Sequence, residues 1–597
     1  MPAERKQITL TFPGKGLNEI NSYAEQPDGS SPELMNVVAF EPTSGRGRGG
    51  SRGGTEKQCA ERVDEPNAWV PGTYLAGQKV LNDGVIYIAT ATTAIEPPGV
   101  GWSRSTFPVQ ELSHVTSFVE AGIELREDGT RCLREVLSGG GECDREPGSI
   151  PNAGERLVTV VGVCNGYINV LTETTSTRAE GQDGTSALVM NSTVTVITAE
   201  QFDSDLYLID GINFRVYDAS SNTVEDWEAN VATLGQGTIH RDVAGVTTDG
   251  GATLMCVWNG RIVLSGYKLT PTFFFMSAQG DPLNWDFIPA TETPTQAVRS
   301  DLADCNSPAD VITALIPFTD DTLILGCAHS IERLSGDPAP GNDGRRDLVT
   351  NVTGVASGRA WCMTPEGVIY FFGSRGGVYR MVANGSPPVR LTQNTIDFRL
   401  ARLHVADNLF RLVWSDEDQS VLVFITPRTG GPTTHYRYDV RKDAWFPMTF
   451  ANDDHNPIAV HLLDGYSSGT RAILLGGFDG YCRKINLDAS SDDGEPIETS
   501  CVIGPFSNMM ILELQATLGR FSGNVDWELL EAESIEEALE ASPVATGRFE
   551  AGRNRSVWTR SYLRGGWLRL TSSDRWQLEQ IVTTLELATT ARKRIYF

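Results

Sequence analysis

Residues 433–445, Thr-Thr-His-Tyr-Arg-Tyr-Asp-Val-Arg-Lys-Asp-Ala-Trp, read as an alternating strand, a charged turn and a closing tryptophan. The same pattern occurs at residues 214–227, where Phe-Arg-Val-Tyr-Asp runs through a Ser-Ser-Asn turn to Trp227. One such hairpin end is a turn. Several at a nearly constant spacing indicate a repeat architecture, because each repeat is one supersecondary unit that stacks on its neighbours.

Seven such units follow one another along the chain, each a continuous apolar strand followed by a half-polar strand. The first pattern is typical of a strand buried on both faces, and the second of a strand nearer to solvent. Neighbouring units start about 45 to 60 residues apart, close to the period of propeller blades. The units are residues 158–171, 206–217, 261–277, 323–334, 368–381, 421–438 and 472–485.

The sequence therefore predicts an all-β fold with a β-propeller of about seven blades and accessory β domains. The range is six to eight blades, because the first hairpin is the weakest and Val85-Ile-Tyr-Ile88 would supply an eighth. We divide the chain into four parts: an N-terminal arm, an accessory β domain or insertion, the β-propeller, and a C-terminal β domain with one short helix. These parts are residues 1–60, 61–155, 156–490 and 491–597. The helix is expected after Ser534, because Glu537 three residues later completes a capping box.

Composition narrows the classes of function. The 597 residues include 49 Lys and Arg against 76 Asp and Glu, a formal charge of −27. This balance argues against a protein that grips nucleic acid, because affinity for phosphates comes mostly from a basic surface. No apolar stretch approaches the length of a membrane span, and the first residues lack the apolar core of a signal peptide. We therefore expect no membrane span and synthesis in a cytoplasm.

The cysteines and histidines predict neither a disulfide framework nor a metal site. The ten cysteines are scattered and contain no C-x-x-C pair, so we interpret them as reduced small hydrophobes. The seven histidines lack the spacing of a local zinc site. His455 and His461 lie near Asp453, Asp454 and Asp464. We interpret that group as a solvated loop.

Catalytic motifs are equally weak. Residues 277–285, Ser-Ala-Gln-Gly-Asp-Pro-Leu-Asn-Trp, approximate the S-x-D-x-G-x-x-W turn of sialidase-like propellers once only, which favours a structural turn with a buried tryptophan. We therefore predict a protein that is not an enzyme and binds no cofactor or metal. One recurrent feature is an arginine in the half-polar strand of several units. We interpret these arginines as solvated charges that form salt bridges from blade to blade: Arg215, Arg333, Arg380, Arg437 and Arg483.

Residues 45–54, Gly-Arg-Gly-Arg-Gly-Gly-Ser-Arg-Gly-Gly, superficially resemble an RNA-binding RGG segment. The segment is short, occurs once and lacks the interleaved aromatic residues on which bases stack. We interpret it as a flexible loop and predict that Arg46, Arg48 and Arg52 contact an acidic neighbouring subunit. Replacing these arginines by glutamate should then weaken assembly.

Several segments together resemble one family. Residues 258–285 fit W-x-x-R-l … S-x-x-G-D-P-x-x-W, and residues 323–337, 367–381 and 433–445 resemble the blades that follow in order. The family is that of the tail nozzle, or packaged-DNA stabilisation, proteins of short-tailed bacteriophages. The resemblance covers about residues 200–490 and leaves the stretch 61–155 and the C-terminal domain unaligned.

The resemblance implies a structural virion protein in the phage tail that forms a homo-oligomeric ring, usually a hexamer. The ring would dock to the tail adaptor and to tail fibres or spikes, close the DNA channel and then conduct DNA with transient, non-specific contact. Acidity is compatible with this role, because a negative lumen lets DNA slide. The alternative is a propeller-based glycan-binding or glycan-cleaving tail protein, which arginines and carboxylates clustered at a propeller mouth would favour. A scaffold or receptor-binding module is a third hypothesis.

Overall fold

The structure is a computed structural model. It describes residues 5–21, 26–42, 44–118, 121–125, 131–135, 156–181, 189–192, 196–227, 251–303, 305–382, 386–463, 471–532 and 534–587. Within these ranges the regular structure is almost entirely β. The exceptions are helices at Asp397–Leu400 and Ile535–Glu540 and a 3₁₀ turn at Asp453–His455. None of the helices in the described ranges is long and apolar enough to span a membrane.

The described strands form seven consecutive antiparallel sheets, the blades of a β-propeller. From inner to outer strand, the first four blades are Val109–Phe118, Arg156–Cys164, Tyr167–Leu171 and Ser176–Arg178 (blade 1); Thr198–Phe202, Asp205–Ile209, Phe214–Asp218 and Thr223–Asp226, extended by Glu180–Gly181 (blade 2); Leu254–Trp258, Arg261–Ser265, Phe275–Met276 and Val298–Arg299 (blade 3); and Ile312–Thr319, Thr322–Cys327, Ile331–Ser335 and Arg345–Thr350 (blade 4). The others are Trp361–Met363, Val368–Phe372, Val378–Val382 and Val389–Arg390 (blade 5); Asn408–Ser415, Ser420–Pro427, His435–Asp439 and Ala444–Met448 (blade 6); and Ala459–Leu463, Ala472–Gly476, Cys482–Asn486 and Gly54–Lys57 (blade 7).

The predicted all-β propeller is confirmed. Each of the seven predicted hairpins forms the second and third strands of one blade, where both strands have a neighbour on each side. Val85–Ala89 instead pairs with Lys79–Asn82 and Trp102–Arg104 in a separate three-stranded sheet, so it adds no blade. The inner strand of blade 1, Val109–Phe118, lies inside the range that the sequence assigned to an accessory domain. The strand with which it pairs begins only at Arg156, and a pairing between strands so far apart in the chain cannot be recognised from the sequence pattern.

The ring closes with a strand from the beginning of the chain. Gly54–Lys57 pairs antiparallel with Cys482–Asn486, with Thr55 opposite Ile485. The first and last segments of the propeller therefore share blade 7, which leaves the closure dependent on hydrogen bonds between residues more than four hundred positions apart.

A nine-stranded sheet lies beside the propeller, built from both ends of the chain. Its long strands come from the predicted C-terminal domain, and the predicted helix at Ile535–Glu540 is confirmed, with the Ser534 hydroxyl accepting the Glu537 backbone N–H at 3.3 Å. Its strands are Arg5–Leu10, Leu34–Met35, Val37–Val38, Gly49–Ser51, Thr499–Leu518, Val525–Glu531, Ala545–Phe549, Val557–Ser572 and Gln577–Leu587. The hairpin of Ala121–Leu125 with Arg131–Glu135 forms a sheet of its own. Ser491–Asp492 with Glu495–Pro496 extends the sheet of blade 7, where Asp492 lies opposite Thr55 in a parallel pairing.

The tryptophans that end the repeated hairpins lie between blades. Trp445 is 1% exposed, packs on Tyr438 and donates its indole N–H to the Leu391 carbonyl beside blade 5, at 3.4 Å. Trp227 is fully buried and donates to the Pro282 carbonyl of blade 3 at 3.3 Å. These side chains hold neighbouring blades together, which explains why the hairpin ends recur. The cysteines of the described side chains, which exclude Cys132 and Cys143, are buried and form no disulfide with one another, as expected for small hydrophobes.

Four of the five recurrent arginines pair within their own blades, so the prediction of blade-to-blade salt bridges was wrong for these four, whereas Arg380 is exposed to solvent. Arg215 binds Asp226 at 3.0 Å in blade 2, and Arg333 binds Asp347 at 3.1 Å in blade 4. Arg437 pairs with Asp418 of blade 6, and Arg483 with Asp479 of blade 7. A fourth strand covers the third one, so each guanidinium reaches the carboxylates of the adjacent strand or turn before it can reach the next blade.

Candidate functional site

Charged side chains from the inner strands meet on the propeller axis. Arg359, just before the inner strand of blade 5, donates to Glu200 of blade 2 at 3.0 Å and to the Ala199 carbonyl at 3.0 Å. The terminal nitrogen that donates to Ala199 also lies 3.6 Å from Glu111 of blade 1. Blade 5 is not a neighbour of blades 1 or 2, so these contacts cross the centre of the ring. We call Glu111, Glu200, Arg359 and Arg411 the axial cluster.

Burial controls the protonation of this cluster. It raises the pKa of Glu111 to about 7, although Arg359 and Arg411 favour the carboxylate. It also raises the pKa of Glu200, against the attraction of Arg359. Arg411, on the inner strand of blade 6, is 3% exposed, and its burial lowers the pKa of the guanidinium to about 10. Glu111 can therefore hold or lose a proton near neutral pH.

Two histidines extend the cluster. His114 of blade 1 and His461 of blade 7 lie with their ring nitrogens 2.6 Å apart, so one nitrogen carries the proton that the other accepts. Burial lowers the pKa of His461 to about 3, and His114 and Arg359 add to the effect. His455 belongs to a different place, 3.9 Å from Asp479. The histidines that the sequence placed in one solvated loop are thus separated and largely buried, and Asp464 lies outside the described residues.

A cavity of about 180 Å³ adjoins the axial cluster. The inner strands of blades 2 to 5 form its walls. It is lined by groups that include Thr198, Glu200, Cys256, Leu315, Arg359 and Trp361. Of the axial cluster, Glu200 and Arg359 line this cavity, and a carboxylate and a guanidinium together can bind a polar molecule. Among the described residues, no three His, Cys, Asp or Glu side chains are grouped so as to hold a metal ion.

The residues that carry the family resemblance meet at another place, the junction of blades 3 and 4. Arg261 is fully buried and donates to Asp337 at 2.9 Å and to the carbonyls of Ser277 and Gln296 at 2.8 and 2.6 Å. Trp258 donates to the Thr319 carbonyl of blade 4 at 2.7 Å. The arginine of the first segment and the aspartate of the next segment thus form one ion pair, which fastens one blade to the next.

The Ser277–Trp285 turn has structural partners for its polar groups. The Ser277 hydroxyl accepts the Ile262 backbone N–H at 3.0 Å, and Asp281 accepts the Leu283 backbone N–H at 3.0 Å. Trp285 is fully buried and donates to the Pro282 carbonyl at 2.9 Å. These bonds fit the structural turn that the sequence favoured over a sialidase-like one.

The segment 45–54 is packed against the rest of the chain beyond its first residues, so the interpretation of a wholly flexible loop was wrong. Gly49–Ser51 and Gly54–Lys57 are strands. A Cβ at Gly53 would lie 2.6 Å from the Leu487 Cα, so glycine here permits close approach of two backbones. Glycine content by itself does not separate a mobile loop from a tight contact.

The three arginines of this segment have different surroundings. Arg52 is 4% exposed and donates to Asp492 at 3.0 Å and to the Asn36 side chain at 3.1 Å. Arg48 lies 2.6 Å from Glu579 of the nine-stranded sheet. Arg46 is exposed. Arg48 and Arg52 therefore bind acidic groups of their own chain, and the subunit contact stays a prediction.

Comparisons with known proteins give distant structural likenesses. No family model and no curated protein matches the chain. The extracellular domain of a putative hybrid two-component system from B. thetaiotaomicron is 11% identical with a TM-score of 0.33, over 65% of this chain and 40% of that one. This chain thus spans less than half of that domain.

Two further solved structures are similar over most of their own length. YCF48 bound to D1 peptide is 10% identical with a TM-score of 0.32, over 56% of this chain and 89% of that one. BamB from Moraxella catarrhalis is 10% identical with a TM-score of 0.30, over 55% of this chain and 90% of that one. The propeller assignment itself rests on the seven sheets of this chain.

Proposed function

We propose that this protein is a structural component of a short bacteriophage tail, a homo-oligomeric nozzle ring that closes and conducts the DNA channel and docks to the tail adaptor. The observation that carries the proposal is the buried junction around Arg261 and Asp337. Residues from two separate segments of the family resemblance form one ion pair there, 2.9 Å long, between consecutive blades. The resemblance thus includes both partners of a buried contact between these blades, which supports it.

Acidity supports a conducting role. A chain with formal charge −27 repels DNA phosphates, so a ring of several copies would hold DNA by closing around it and not by binding it. The protein would then act without catalysis or a cofactor, in the virion tail after synthesis in the host cytoplasm. Contact with DNA would be transient and non-specific.

The experiment that tests the proposal is a mass measurement. Purified protein, alone and mixed with the tail adaptor ring of the same phage, should form rings of uniform copy number by native mass spectrometry and electron microscopy. A stable monomer under both conditions would contradict the proposal.

The axial cluster is the observation that supports the alternative function, glycan binding or cleavage. Carboxylates and arginines do meet on the axis, and Glu200 and Arg359 of this cluster line a cavity. Glu111, which lies 3.6 Å from Arg359, has a pKa of about 7 that suits a general acid. Arg359, however, is already bound to Glu200 and Ala199, so it is not poised to clamp a substrate carboxylate. We therefore rank glycan cleavage second.

Glycan cleavage and binding have their own test. Host polysaccharide is incubated with the native protein, Glu111→Gln and Glu200→Gln, with reducing ends and retained glycan as the readouts. Release of sugar that either variant loses would establish the alternative. Absence of both release and binding would exclude it for that glycan.

A further inference from the structure

An exposed strip on the nine-stranded sheet combines aromatic and basic side chains. Trp558, Arg560, Tyr562 and Arg564 are all exposed on the strand Val557–Ser572, and we call these four residues the outer strip. Trp558 is 61% exposed and Tyr562 is 42% exposed, which is unusual for large aromatic side chains. The Arg560 guanidinium lies 5.8 Å from the Trp558 ring centroid, so these side chains share one face.

The backbone beside the outer strip has an open edge. The strand Val557–Ser572 pairs with Thr499–Leu518 along one side over most of its length. On the other side, Val525–Glu531 pairs only with residues 566–571. Within the described residues, no strand pairs with residues 557–564 on that second side. An edge of this kind offers unpaired backbone groups to another chain.

The outer strip lies in a stretch of sequence that is basic, although the chain as a whole is acidic. Residues 551–573 contain five arginines and no Asp or Glu, in a chain with a formal charge of −27. Arg569 pairs with Glu528, whereas none of Arg553, Arg555, Arg560 and Arg564 forms an ion pair with a described residue. Glu513 lies opposite Trp558 on the neighbouring strand, and Glu531 accepts the Arg564 backbone N–H at 3.2 Å. The guanidinium groups of Arg560 and Arg564 nevertheless form no ion pair with a described residue, so they are available to an acidic surface outside the chain.

We propose that the outer strip docks on an acidic surface of a second copy of this chain. The inference rests on the proposed ring, and it names the surface that holds the ring together. Two copies with a charge of −27 repel each other, so assembly needs a place where the sign is locally reversed. Trp, Tyr and Arg are the residue types that dominate interface energetics, and the strip contains only these. A strip on one subunit and an acidic patch elsewhere on the next make a head-to-tail contact, the kind that closes into a ring.

Single-stranded nucleic acid is the rival occupant, because bases also stack on aromatic side chains beside arginines. The overall charge disfavours it, since binding to phosphates depends on the net field of the surface around the contact. The two occupants make different predictions, and one set of variants separates them.

The test uses the full chain with two strip variants and one control. Arg560→Glu/Arg564→Glu reverses the strip charge, and Trp558→Ala removes its most exposed ring. Arg375→Glu/Arg402→Glu makes the same change of net charge at two exposed arginines of the propeller. Copy number is measured by mass photometry and sedimentation velocity over a concentration series, together with the thermal unfolding midpoint and retention of a fluorescent oligodeoxythymidine.

We expect the native protein and the control to form rings, and both strip variants to assemble at least about tenfold more weakly with unchanged unfolding midpoints. Rings of unchanged affinity in both strip variants would overturn the docking surface while leaving the nozzle proposal intact. A native protein that stays monomeric at every concentration, both alone and with the tail adaptor ring, would contradict the nozzle proposal instead. Loss of oligonucleotide retention in the strip variants, with rings unaffected, would assign the strip to nucleic acid and overturn the inference.

Discussion

At the scale of single residues, the junction of blades 3 and 4 depends on a buried ion pair. Removing the fully buried Arg261 takes the guanidinium donors away from Asp337 and from several carbonyl groups. Breaking one side of such a pair costs about 3–5 kcal/mol, whereas an exposed pair contributes about 0–1 kcal/mol. We expect Arg261→Ala to lower the free energy of unfolding in urea by the larger amount. Arg345→Ala, which breaks an exposed pair with Asp347 in blade 4, should lower it by the smaller amount; equal losses would contradict the assigned role.

The axial cluster predicts a dependence of stability on pH. Folding raises the pKa of Glu111 from 4.5 to about 7, so the folded chain binds more protons than the unfolded chain in that window. The stability that this carboxyl contributes is therefore present below pH 4.5 and lost as pH rises through about 7. Glu111→Gln cannot lose a proton, so the native protein should lose on the order of 2–3 kcal/mol relative to this variant between acidic and mildly alkaline pH. Urea unfolding at pH 5 and pH 8 measures the difference, and parallel profiles would refute it.

His461 has the opposite effect on the pH dependence of stability. Folding lowers its pKa from 6.5 to about 3, so the unfolded chain binds the extra proton and stability is lost as pH falls below 6.5. The contribution of Glu111 is therefore measured as the difference in unfolding free energy between the native protein and Glu111→Gln. Both proteins contain His461, so its contribution cancels in that difference. Neither group could be identified from sequence, because Glu111, Glu200, Arg359 and His461 are far apart in the chain. Closure of the ring alone brings them together on the axis.

At the scale of elements, one strand from the beginning of the chain closes the ring. Gly54–Lys57 supplies the outer strand of blade 7, and Thr55 sits opposite Ile485 inside the ladder. Proline has no N–H and is poorly tolerated between paired strands. We expect Thr55→Pro to destabilise the propeller by roughly 3 kcal/mol and to expose blade 7 to limited proteolysis.

The matched control is Ser103→Pro in the outer strand of the small three-stranded sheet. That sheet is no part of the ring, so its proline should leave the main unfolding transition in place. A Thr55→Pro protein that unfolds like the native one would show that the closing strand contributes little.

The hairpins were predictable from sequence because each is local. Second and third strands are joined by short turns such as Asn165-Gly166, where both residues have positive φ, and their apolar runs stand out because neighbours cover them on both sides. The first strand of blade 1 instead ends at Phe118, far from the start of its partner at Arg156, and some fourth strands are very short or distant in the chain. Val298–Arg299 has two residues, and Gly54–Lys57 is contributed from the far end of the chain. Such strands produce no repeated pattern of apolar residues near their partners, so their pairing could not be predicted from the sequence.

At the scale of the whole molecule, one segment joins the propeller to the nine-stranded sheet. Gly49–Ser51 belongs to the sheet and Gly54–Lys57 to blade 7, with buried Arg52 between them holding Asp492. The sequence divided the chain into an arm and separate domains in the order of the residues. In the structure, the N-terminal residues instead supply strands to both the propeller and the nine-stranded sheet. Disturbing this segment should therefore affect both.

The acidity of the molecule leads to a prediction about DNA. With a formal charge of −27, the assembled protein should show no retention of duplex DNA at micromolar concentration and about 150 mM salt, because even non-specific basic binders reach dissociation constants of only about 10⁻⁴–10⁻⁶ M. Electrophoretic mobility and fluorescence anisotropy measure it, from about 50 to 200 mM salt, a range in which a true phosphate binder loses affinity steeply. Arg560→Glu/Arg564→Glu should give the same result as the native ring, since the outer strip faces a second copy and not the DNA. Tight binding with a steep salt dependence would mean that the channel grips DNA, and the sliding role argued from charge would then fail.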